Sequence, residues 1–333
     1  MKRYFKIANN LFREYLNYRR LLSEKSNQQI QFYNFWPHKV DENLEMARFI
    51  RSRHLLDQYP NGKVAFFSVF GFRRIVNMSD AHVKIFFTIE DLKRRDFIQW
   101  SDHGLGIKGK NSIDLALGLE LFESEKYMRF PFWLIWPNLF RPEFSKEDIL
   151  KRCNELRWPD LSMKTKFASL VAGVAWDGLR EQMVCELGNI SFVNCAGKVL
   201  HNDDTLISNF NNNKVEYLKQ FQFSICPENH NLAGYVSEKC FEAHLAGCIP
   251  IYWGAMGEPE KDVLNKDAII FWDRKTNGKD AINKVKELYE HPNLWKEFAS
   301  QPRLLNTAEE YIFDSLYTLE NRLAKLFAEK MPK

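Results

Sequence analysis

The stretch FQFSICPENHNLAGYVSEKCFEAHLAGCIPIYWGA, residues 221–255, predicts a strand, a loop, a helix and a second strand in direct succession. FQFSIC is a short apolar run, which is typical of a buried strand. SEKCFEAHLAG has helical spacing, with Ser237 as a candidate N-cap and Gly247 at its end. CIPIYWG predicts the next strand. This order is that of an α/β domain with a parallel sheet.

The same alternation extends in both directions along the chain. Further strands are predicted in the runs IQFYNFW, KVAFFSVF, VKIFFTI, KFASLVAG, ISFVN and AIIFW, and a helix in GLREQMVCEL. The strands fall into two series, separated by the polar stretch RWPDLSMKTK. We therefore predict an α/β fold with two Rossmann-like domains, an N-terminal one over residues 1–157 that starts with a basic helix and a C-terminal one over 158–306. A C-terminal helix is expected over 307–333.

The composition fits a globular protein. The 333 residues are 45% hydrophobic and 14% aromatic, which excludes a disordered chain. No apolar run approaches the roughly 18–20 residues that cross a bilayer. The basic N-terminus is followed by no apolar core, so no signal peptide is predicted. The six cysteines form no CxxC pair and favour buried free thiols in a cytoplasmic protein over disulfides.

The formal net charge of +4 is unevenly distributed. Residues 1–25 hold seven Lys and Arg against two Glu, residues 321–333 hold four against one, and the chain between them is net acidic. No aromatic reading surface is interleaved with the basic residues, which excludes a nucleic-acid partner. The basic ends have two interpretations. They are solvated helix faces, or they hold the chain peripherally against an anionic membrane at its cytoplasmic face.

A glycine-rich segment, GLGIKGKN at residues 104–111, matches the pattern GxGxxG. Phosphate-binding loops of this kind follow a buried strand and open a helix. Here the flanking QWSDH and NSIDL are polar. We interpret the segment as a surface turn.

The decisive stretch also carries candidate chemistry. Its first strand delivers Glu228 and Asn229 to the C-terminal end, and the following helix opens with Ser237, Glu238 and Lys239. C-terminal strand ends and helix N-termini are where α/β domains bind nucleotides, because free N–H groups and a lysine favour an anion. The alternative is that Glu238 and Lys239 are ordinary surface residues of a first helical turn.

The stretch resembles the pattern FxxxxENxxxxxYxTEKxxxAxxxxxxPxxxG of the bacterial α-1,3/1,4-fucosyltransferases, glycosyltransferase family 10. Matching positions are Glu228, Asn229, Tyr235, Ser237 in place of Thr, Glu238 and Lys239. KFASLVAGVAWDGLR is similar to another segment of that family and ends in Arg180, and YMRFPFW matches a third. VKIFFTIED is similar to a strand of the family that ends in TGEN. Glu90 corresponds to the glutamate of that motif, whereas Ile89 stands in place of its Gly and Asp91 in place of its Asn.

The resemblance implies a GT-B fold, with two Rossmann-like domains facing a central cleft. It implies GDP-L-fucose bound in the C-terminal domain and an oligosaccharide acceptor held by the N-terminal one. Transfer would invert the anomeric centre, with Glu90 as the general base and Asp91 as its competitor or electrostatic neighbour.

Roles on the donor side follow from the same resemblance. Arg180 would bind the diphosphate and Lys239 would neutralise the leaving phosphate. Glu238 would bind ribose hydroxyls, while Asn229 and Tyr235 would orient the donor. Glu228 and Ser237 are supporting candidates. No Asp-x-Asp occurs, so neither a metal nor another cofactor is expected.

Two other functions stay open at this point. One is a GT-B transferase that uses another nucleotide sugar, since an Arg/Lys clamp binds diphosphate whatever sugar it carries. The other is a nucleotide- or glycan-binding module without catalysis. By analogy with the family, the expected acceptor is GlcNAc or Glc, at its 3-hydroxyl, in a galactose-containing glycan such as a lipopolysaccharide O-antigen.

Overall fold

The computed structural model describes residues 2–35, 44–107, 112–175 and 177–333, and for residues 2–12 it describes the backbone. It divides the chain into two compact units. The N-terminal unit comprises residues 1–130 together with 317–333, and the C-terminal unit comprises residues 131–316. Of the predicted strand 30–36, Trp36 lies outside the described residues, as do Lys108 to Asn111 of the glycine-rich segment; residues 104–106, which are described, form a turn.

The N-terminal unit contains a parallel five-stranded sheet. Its strands, in spatial as well as sequence order, are β1 (Ile30–Tyr33), β2 (Val64–Phe67), β3 (Val83–Phe87), β4 (Leu115–Gly118) and β5 (Tyr127–Arg129). The helices α1 (Lys2–Glu24), α2 (Glu45–Ser52) and α3 (Arg74–Met78) accompany them. The residues of β1 to β4 are all buried. This is the reason their sequences show apolar runs with little alternation.

The C-terminal unit contains a second parallel sheet of five strands. In chain order they are β6 (Lys166–Leu170), β7 (Val193–Cys195), β8 (Phe221–Pro227), β9 (Ile249–Trp253) and β10 (Ile270–Phe271). Its helices are α4 (Lys146–Arg157), α5 (Leu179–Gly188), α6 (Thr205–Ser208), α7 (Lys214–Leu218), α8 (Lys239–Leu245), α9 (Lys279–Glu290) and α10 (Pro292–Ala299). The predicted α/β class with parallel sheets is confirmed.

The last helix, α11 (Ala308–Lys330), belongs to both units, because the division falls between Leu316 and Tyr317. None of the described helices is both long and apolar enough to cross a membrane. The described cysteines are all free thiols, and Cys185 is the exposed one among them.

The unit boundary lies at residue 130, whereas the sequence analysis places it after residue 157. The intervening segment is fastened to the C-terminal unit by aromatic side chains. Trp133 stacks on Phe241 with ring centroids 4.2 Å apart, and Trp136 Nε1 donates to Glu242 Oε1 at 2.8 Å. These contacts join residues more than one hundred positions apart, so the composition of the segment itself does not indicate them.

Candidate functional site

The C-terminal sheet contains a topological switch point. Its spatial order is β10-β9-β8-β6-β7, so β6 has β7 on one side and β8 on the other. The connections that follow β6 and β8 therefore leave the sheet in opposite directions, which opens a crevice at the C-terminal ends of these two strands. Such crevices are the usual ligand sites of open α/β sheets.

Arg180 projects from the α5 side of this crevice. It lies in the first turn of α5, after Gly178, whose φ of 78° is the left-handed conformation that glycine adopts without strain. Its Nη2 donates to Asn229 Oδ1 at 2.7 Å and to Pro227 O at 3.4 Å, and its Nη1 donates to the carbonyl of Val174. Arg180 thereby ties the segment after β6 to the end of β8.

Burial lowers the pKa of Arg180, and the negative charges of Glu228 and Asp177 oppose that effect. Because a guanidinium starts from a pKa above 12, it keeps its charge at neutral pH. The sequence analysis named Arg180 and Asn229 separately, and the structure brings their side chains into direct contact.

Glu228 is the hub on the β8 side of the crevice, and its side chain has no exposed surface. It accepts hydrogen bonds from Ser237 N at 2.8 Å, Ser237 Oγ at 2.6 Å and Lys239 Nζ at 3.1 Å, with Tyr252 OH at 3.4 Å. The predicted capping role of Ser237 is wrong. Its hydroxyl is engaged by Glu228, and α8 begins at Lys239 with Glu238 in the cap position and no side-chain cap.

Charged side chains surround the start of α8. Burial lowers the pKa of Lys239, but the carboxylates of Glu228 and Glu238 outweigh it and the net shift is upward. Burial likewise opposes ionisation of Glu238, but the charges of Lys239 and Lys214 outweigh it and lower the pKa of that carboxyl. Lys239 is therefore a fixed cation and Glu238 a fixed anion at neutral pH.

Lys214 and Glu242 extend this cluster, and the sequence analysis did not name them. Lys214 Nζ lies 2.7 Å from Glu242 Oε2, and Glu242 Oε1 also accepts from Asn138 Nδ2 at 3.0 Å. The two residues come from α7 and α8, whose sequences show no pattern that links them. Helical spacing on α8 was the available signal, since Glu242 lies one turn after Glu238.

Tyr235 and His230 lie in the loop between β8 and α8. Tyr235 is 4% exposed, and its ring meets that of His230 edge-on with centroids 5.7 Å apart. Tyr235 is thus part of the wall behind the loop. His230 thus packs against a predicted site residue.

A cleft of about 530 Å³ opens at the C-terminal ends of β9 and β10. Its walls include Trp253, Phe271 and Gly254, and Arg274 lies at its edge with its guanidinium carbon 5.8 Å from the centroid of the Trp253 ring. Arg274 also pairs with Asp177, which precedes α5. A cleft with flat aromatic walls and an arginine suits a planar ring attached to anionic groups. The sequence analysis included Trp253 only as part of a strand.

In the N-terminal unit, Glu90 follows β3 at the C-terminal edge of the sheet. Its side chain is 18% exposed, and its Oε2 lies 3.4 Å from Arg94 Nη1. Asp91 is 7% exposed, and its Oδ1 accepts from Lys93 N at 2.8 Å, which closes the turn after the strand. Glu90 is thus partly buried, and Asp91 stabilises the turn that follows the strand.

A further carboxylate, Glu120, emerges at the same edge from the neighbouring strand. Phe87 of β3 pairs with Leu117 of β4, so Glu90 and Glu120 each lie three residues beyond a paired position. Burial raises the pKa of Glu120, and its Oε1 has no hydrogen-bond partner among the described residues. The sequence analysis missed Glu120 because it did not predict β4.

No group of three or more His, Cys, Asp and Glu side chains that could hold a metal ion occurs among the described residues. Two cationic side chains, Arg180 and Lys239, lie around Glu228 in the crevice.

Two family models match the chain. The model for the alpha-(1,3)-fucosyltransferase FucT N-terminal domain matches residues 30–136, and the model for the glycosyltransferase family 10 (fucosyltransferase) C-terminal domain matches residues 161–312. Together they cover most of the chain.

Similar proteins include the alpha-(1,3)-fucosyltransferase FucT of Helicobacter pylori. It is 30% identical over 234 residues, which is 62% of this chain and 47% of that protein. The GDP-fucose protein O-fucosyltransferase 3 of Xenopus laevis is 30% identical over 126 residues, 36% of this chain and 26% of that protein. The chain spans less than half the length of either relative.

Among solved structures, that of an alpha1,3-fucosyltransferase superposes with a TM-score of 0.56 at 21% identity, over 88% of this chain and 89% of the other. A structure of an alpha1,3-fucosyltransferase with GDP-fucose gives a TM-score of 0.53 at 20% identity, over 87% of this chain and 89% of the other. At this identity the likeness concerns the fold, and it confirms the GT-B type predicted from the sequence.

Proposed function

The chain belongs to glycosyltransferase family 10, the fucosyltransferases, and from that premise we propose that it transfers L-fucose from GDP-fucose to the 3-hydroxyl of GlcNAc or Glc in a galactose-containing glycan. The observation that carries the proposal is the cluster of Arg180, Asn229, Glu228 and Lys239 at the switch point of the C-terminal sheet. It presents two cations, each positioned by hydrogen bonds, and a guanidinium and an ammonium are the kind of groups that bind a diphosphate. The choice of fucose as the transferred sugar rests on the matches to fucosyltransferases.

The donor half of the reaction rests on this cluster. A guanidinium and an ammonium stabilise the negative charge that grows on the diphosphate as the bond to the fucose anomeric carbon breaks. We assign the diphosphate to Arg180 and Lys239, and the ribose hydroxyls to Glu238. The aromatic cleft beside Trp253 suits the guanine ring.

For the acceptor hydroxyl, we assign the role of general base to Glu90. An inverting displacement requires the acceptor hydroxyl to lose its proton while its oxygen attacks the anomeric carbon from the face opposite GDP. Glu90 lies at the end of a strand, is partly buried, and has Arg94 Nη1 3.4 Å from its Oε2. Glu120 on the neighbouring strand is a second carboxylate at this edge.

We propose that the reaction needs no metal, because the two cations perform the charge neutralisation that a divalent ion performs elsewhere. Transfer should then persist in excess chelator. Abolition of transfer by the chelator, with recovery on addition of Mg²⁺ or Mn²⁺, would contradict this point.

We propose that the protein is located in the cytoplasm. We also propose that the basic helix α1 binds peripherally to the inner face of the membrane. Free thiols suit a reducing compartment. A lipopolysaccharide O-antigen as the acceptor rests on the family resemblance alone.

The test compares nucleotides and then acceptors. GDP should raise the melting temperature more than UDP or CDP does, because ligand binding stabilises the folded state. In Arg180→Lys the GDP-induced shift should shrink, with the dissociation constant rising about tenfold or more as a bidentate donor is lost. Arg141→Lys, an exposed arginine of the same unit, is the matched control. Transfer from GDP-fucose to N-acetyllactosamine and lactose, with the linkage read by NMR, completes the test. A larger shift with UDP, or no transfer to either disaccharide, would overturn the proposal.

A further inference from the structure

The N-terminal unit contains a cavity of about 600 Å³ between α1 and the segments that follow β1 and β2. Glu14, Asn17 and Arg20 of α1 form one wall, and Asn34, Phe70 and Phe72 belong to the opposite one. The volume lies in the range of small-ligand sites. The family match begins at residue 30, after α1.

Helix α1 is held onto the unit at the cavity. Tyr18 is 9% exposed, and its hydroxyl accepts a hydrogen bond from Phe72 N at 2.8 Å. Lys25, just beyond the helix, donates from Nζ to Phe32 O at 2.7 Å. Burial raises the pKa of Tyr18 to about 12, so its hydroxyl stays protonated. The α1 wall is therefore a fixed part of the cavity.

The opposite wall presents aromatic rings to solvent. Phe70 is 42% and Phe72 is 51% exposed. Exposed aromatic rings of this kind favour ligands with a flat apolar face. A pyranose ring has one, formed by its axial C–H groups.

The polar groups of the cavity limit further which class of ligand it can bind. The Glu14 carboxylate interacts with the Tyr18 hydroxyl, and its Oε1 has no hydrogen-bond partner among the described residues. Arg20 pairs with Glu24 at 3.5 Å. A carboxylate oxygen disfavours an acyl chain but accepts a hydrogen bond from a hydroxyl. Asn17 contributes an amide that both donates and accepts, and Asn34, whose Nδ2 donates to Phe72 O at 3.3 Å, contributes its amide oxygen. A neutral ligand rich in hydroxyls satisfies all of these groups.

The cavity shares a sheet edge with Glu90. The ring of Phe35, just after β1, lies 6.3 Å from that of Phe87 at the end of β3, and Glu90 follows Phe87 by three residues. Because all strands of this sheet are parallel, both features lie at the C-terminal edge. A glycan whose reacting hydroxyl is at Glu90 can extend along this edge towards α1.

We propose that this cavity is a glycan subsite that binds the non-reacting sugars of the acceptor, stacking a pyranose ring on Phe72 and hydrogen-bonding its hydroxyls to Glu14. The inference rests on the proposed function, and it adds that α1 makes the enzyme selective for acceptors longer than a disaccharide.

The test varies acceptor length in the full chain. With GDP-fucose, a tetrasaccharide that extends N-acetyllactosamine by lactose should show a KM about tenfold below that of the disaccharide. Phe72→Ala and Glu14→Gln should each raise the tetrasaccharide KM by several-fold up to about tenfold, and leave kcat and the disaccharide KM unchanged. Tyr317→Ala, an aromatic residue that is 65% exposed in the same unit, and Glu123→Gln are the matched controls.

Direct binding separates this inference from the proposed function. Isothermal titration of the tetrasaccharide into the protein without donor should show binding that Phe72→Ala weakens and Tyr317→Ala does not. Binding of this kind with no transfer would overturn the proposed function and leave the subsite standing. Transfer with equal KM for both acceptors in the native protein, or variants that affect both acceptors alike, would overturn the subsite. Unchanged melting temperatures exclude misfolding as the cause.

Discussion

Lys239 Nζ lies 3.1 Å from Glu228 Oε2 and 2.9 Å from Ser237 Oγ. An ammonium group carries three donors, so these two contacts fix its direction and leave one donor for a ligand. Glu228 is completely buried and the Lys239 side chain is 17% exposed. The buried carboxylate of Glu228 therefore positions the cation of Lys239 at the rim of the crevice.

The first prediction concerns Glu228→Gln, which keeps the shape of the side chain and removes its charge. Lys239 and Ser237 then lose an ionised acceptor in a buried site, and unfolding should become easier by about 3 kcal/mol. GDP affinity should also fall, because Lys239 is no longer held in place. Denaturant unfolding and GDP titration measure the two effects.

Glu258→Gln serves as the control for that variant. Glu258 pairs with Lys266 on the surface of the same unit and is 59% exposed, so its loss should cost less than about 1 kcal/mol. Equal destabilisation by the two variants would show that the buried pair has no special weight.

The second prediction uses Gly254, which has a φ of 143° and packs against Glu228. A Cβ at this position would lie 2.6 Å from Glu228 Cγ. Gly254→Ala should therefore displace Glu228, lower the free energy of unfolding by about 2–4 kcal/mol and weaken GDP binding. At Gly257, with φ of 79°, an added Cβ meets nothing within 4 Å, and Gly257→Ala should cost only about 1 kcal/mol of backbone strain. If Gly257→Ala weakened GDP binding as much, backbone strain rather than Glu228 would be the cause.

The third prediction separates the carboxylates of the N-terminal sheet. Glu90→Gln should reduce transfer by about 100-fold or more, since a general base is lost, and should leave GDP binding unchanged. Glu120→Gln should retain most of the activity, because it removes a carboxylate that is not the assigned base. Asp91→Asn should affect stability more than transfer, because Asp91 closes a turn. Full activity in Glu90→Gln would reassign the base.

The fourth prediction concerns acid stability. Asp203 accepts hydrogen bonds from Thr205 Oγ1 at 2.6 Å, Tyr217 OH at 2.9 Å and Asn194 Nδ2 at 2.8 Å. Burial alone would raise the pKa of Asp203, but these hydrogen bonds lower it from 3.8 to about 2. A carboxyl whose pKa is lower in the folded state stabilises the protein above its unfolded-state pKa, and that stability is lost as the pH falls through the folded-state pKa.

Asp203→Asn should accordingly reduce the free energy of unfolding by about 1–2 kcal/mol at pH 7, and the difference from the native protein should shrink between pH 4 and pH 2. Denaturant unfolding at several pH values measures it. Asp204→Asn, whose side chain is 89% exposed, is the control. A difference that stayed constant down to pH 2 would contradict the assignment to ionised Asp203.

The predictability of each element from the sequence depended on how local its signal was. β8 and the residues after it could be predicted from the sequence, because a buried apolar strand that ends in Glu228 and Asn229 is one continuous pattern. β4 escaped prediction, since the run Leu115–Gly118 has no β-branched or aromatic residue. α4 could have been found from its capping box, in which Ser145 and Asp148 bond reciprocally.

Side-chain contacts between distant segments of the chain could not be predicted from the sequence. Ser237 is a good N-cap residue by type, and only the buried carboxylate of Glu228 diverts its hydroxyl. Glu242 receives donors from Trp136, more than one hundred residues earlier in the chain, and no local pattern encodes that contact. The sequence thus predicts which residues enter the crevice, and the contacts among them appear only in the folded chain.

The continuity of α11 has a consequence for folding during synthesis. Its second half completes the N-terminal unit, where Arg322 donates to Tyr127 O at 2.9 Å and Lys330 Nζ lies 2.7 Å from Asp114 Oδ1. A ribosome releases these residues only after the whole C-terminal unit has been made. The N-terminal sheet must therefore wait, without its last helix, until translation of this segment ends, so the unit that is synthesised first is the one that is finished last.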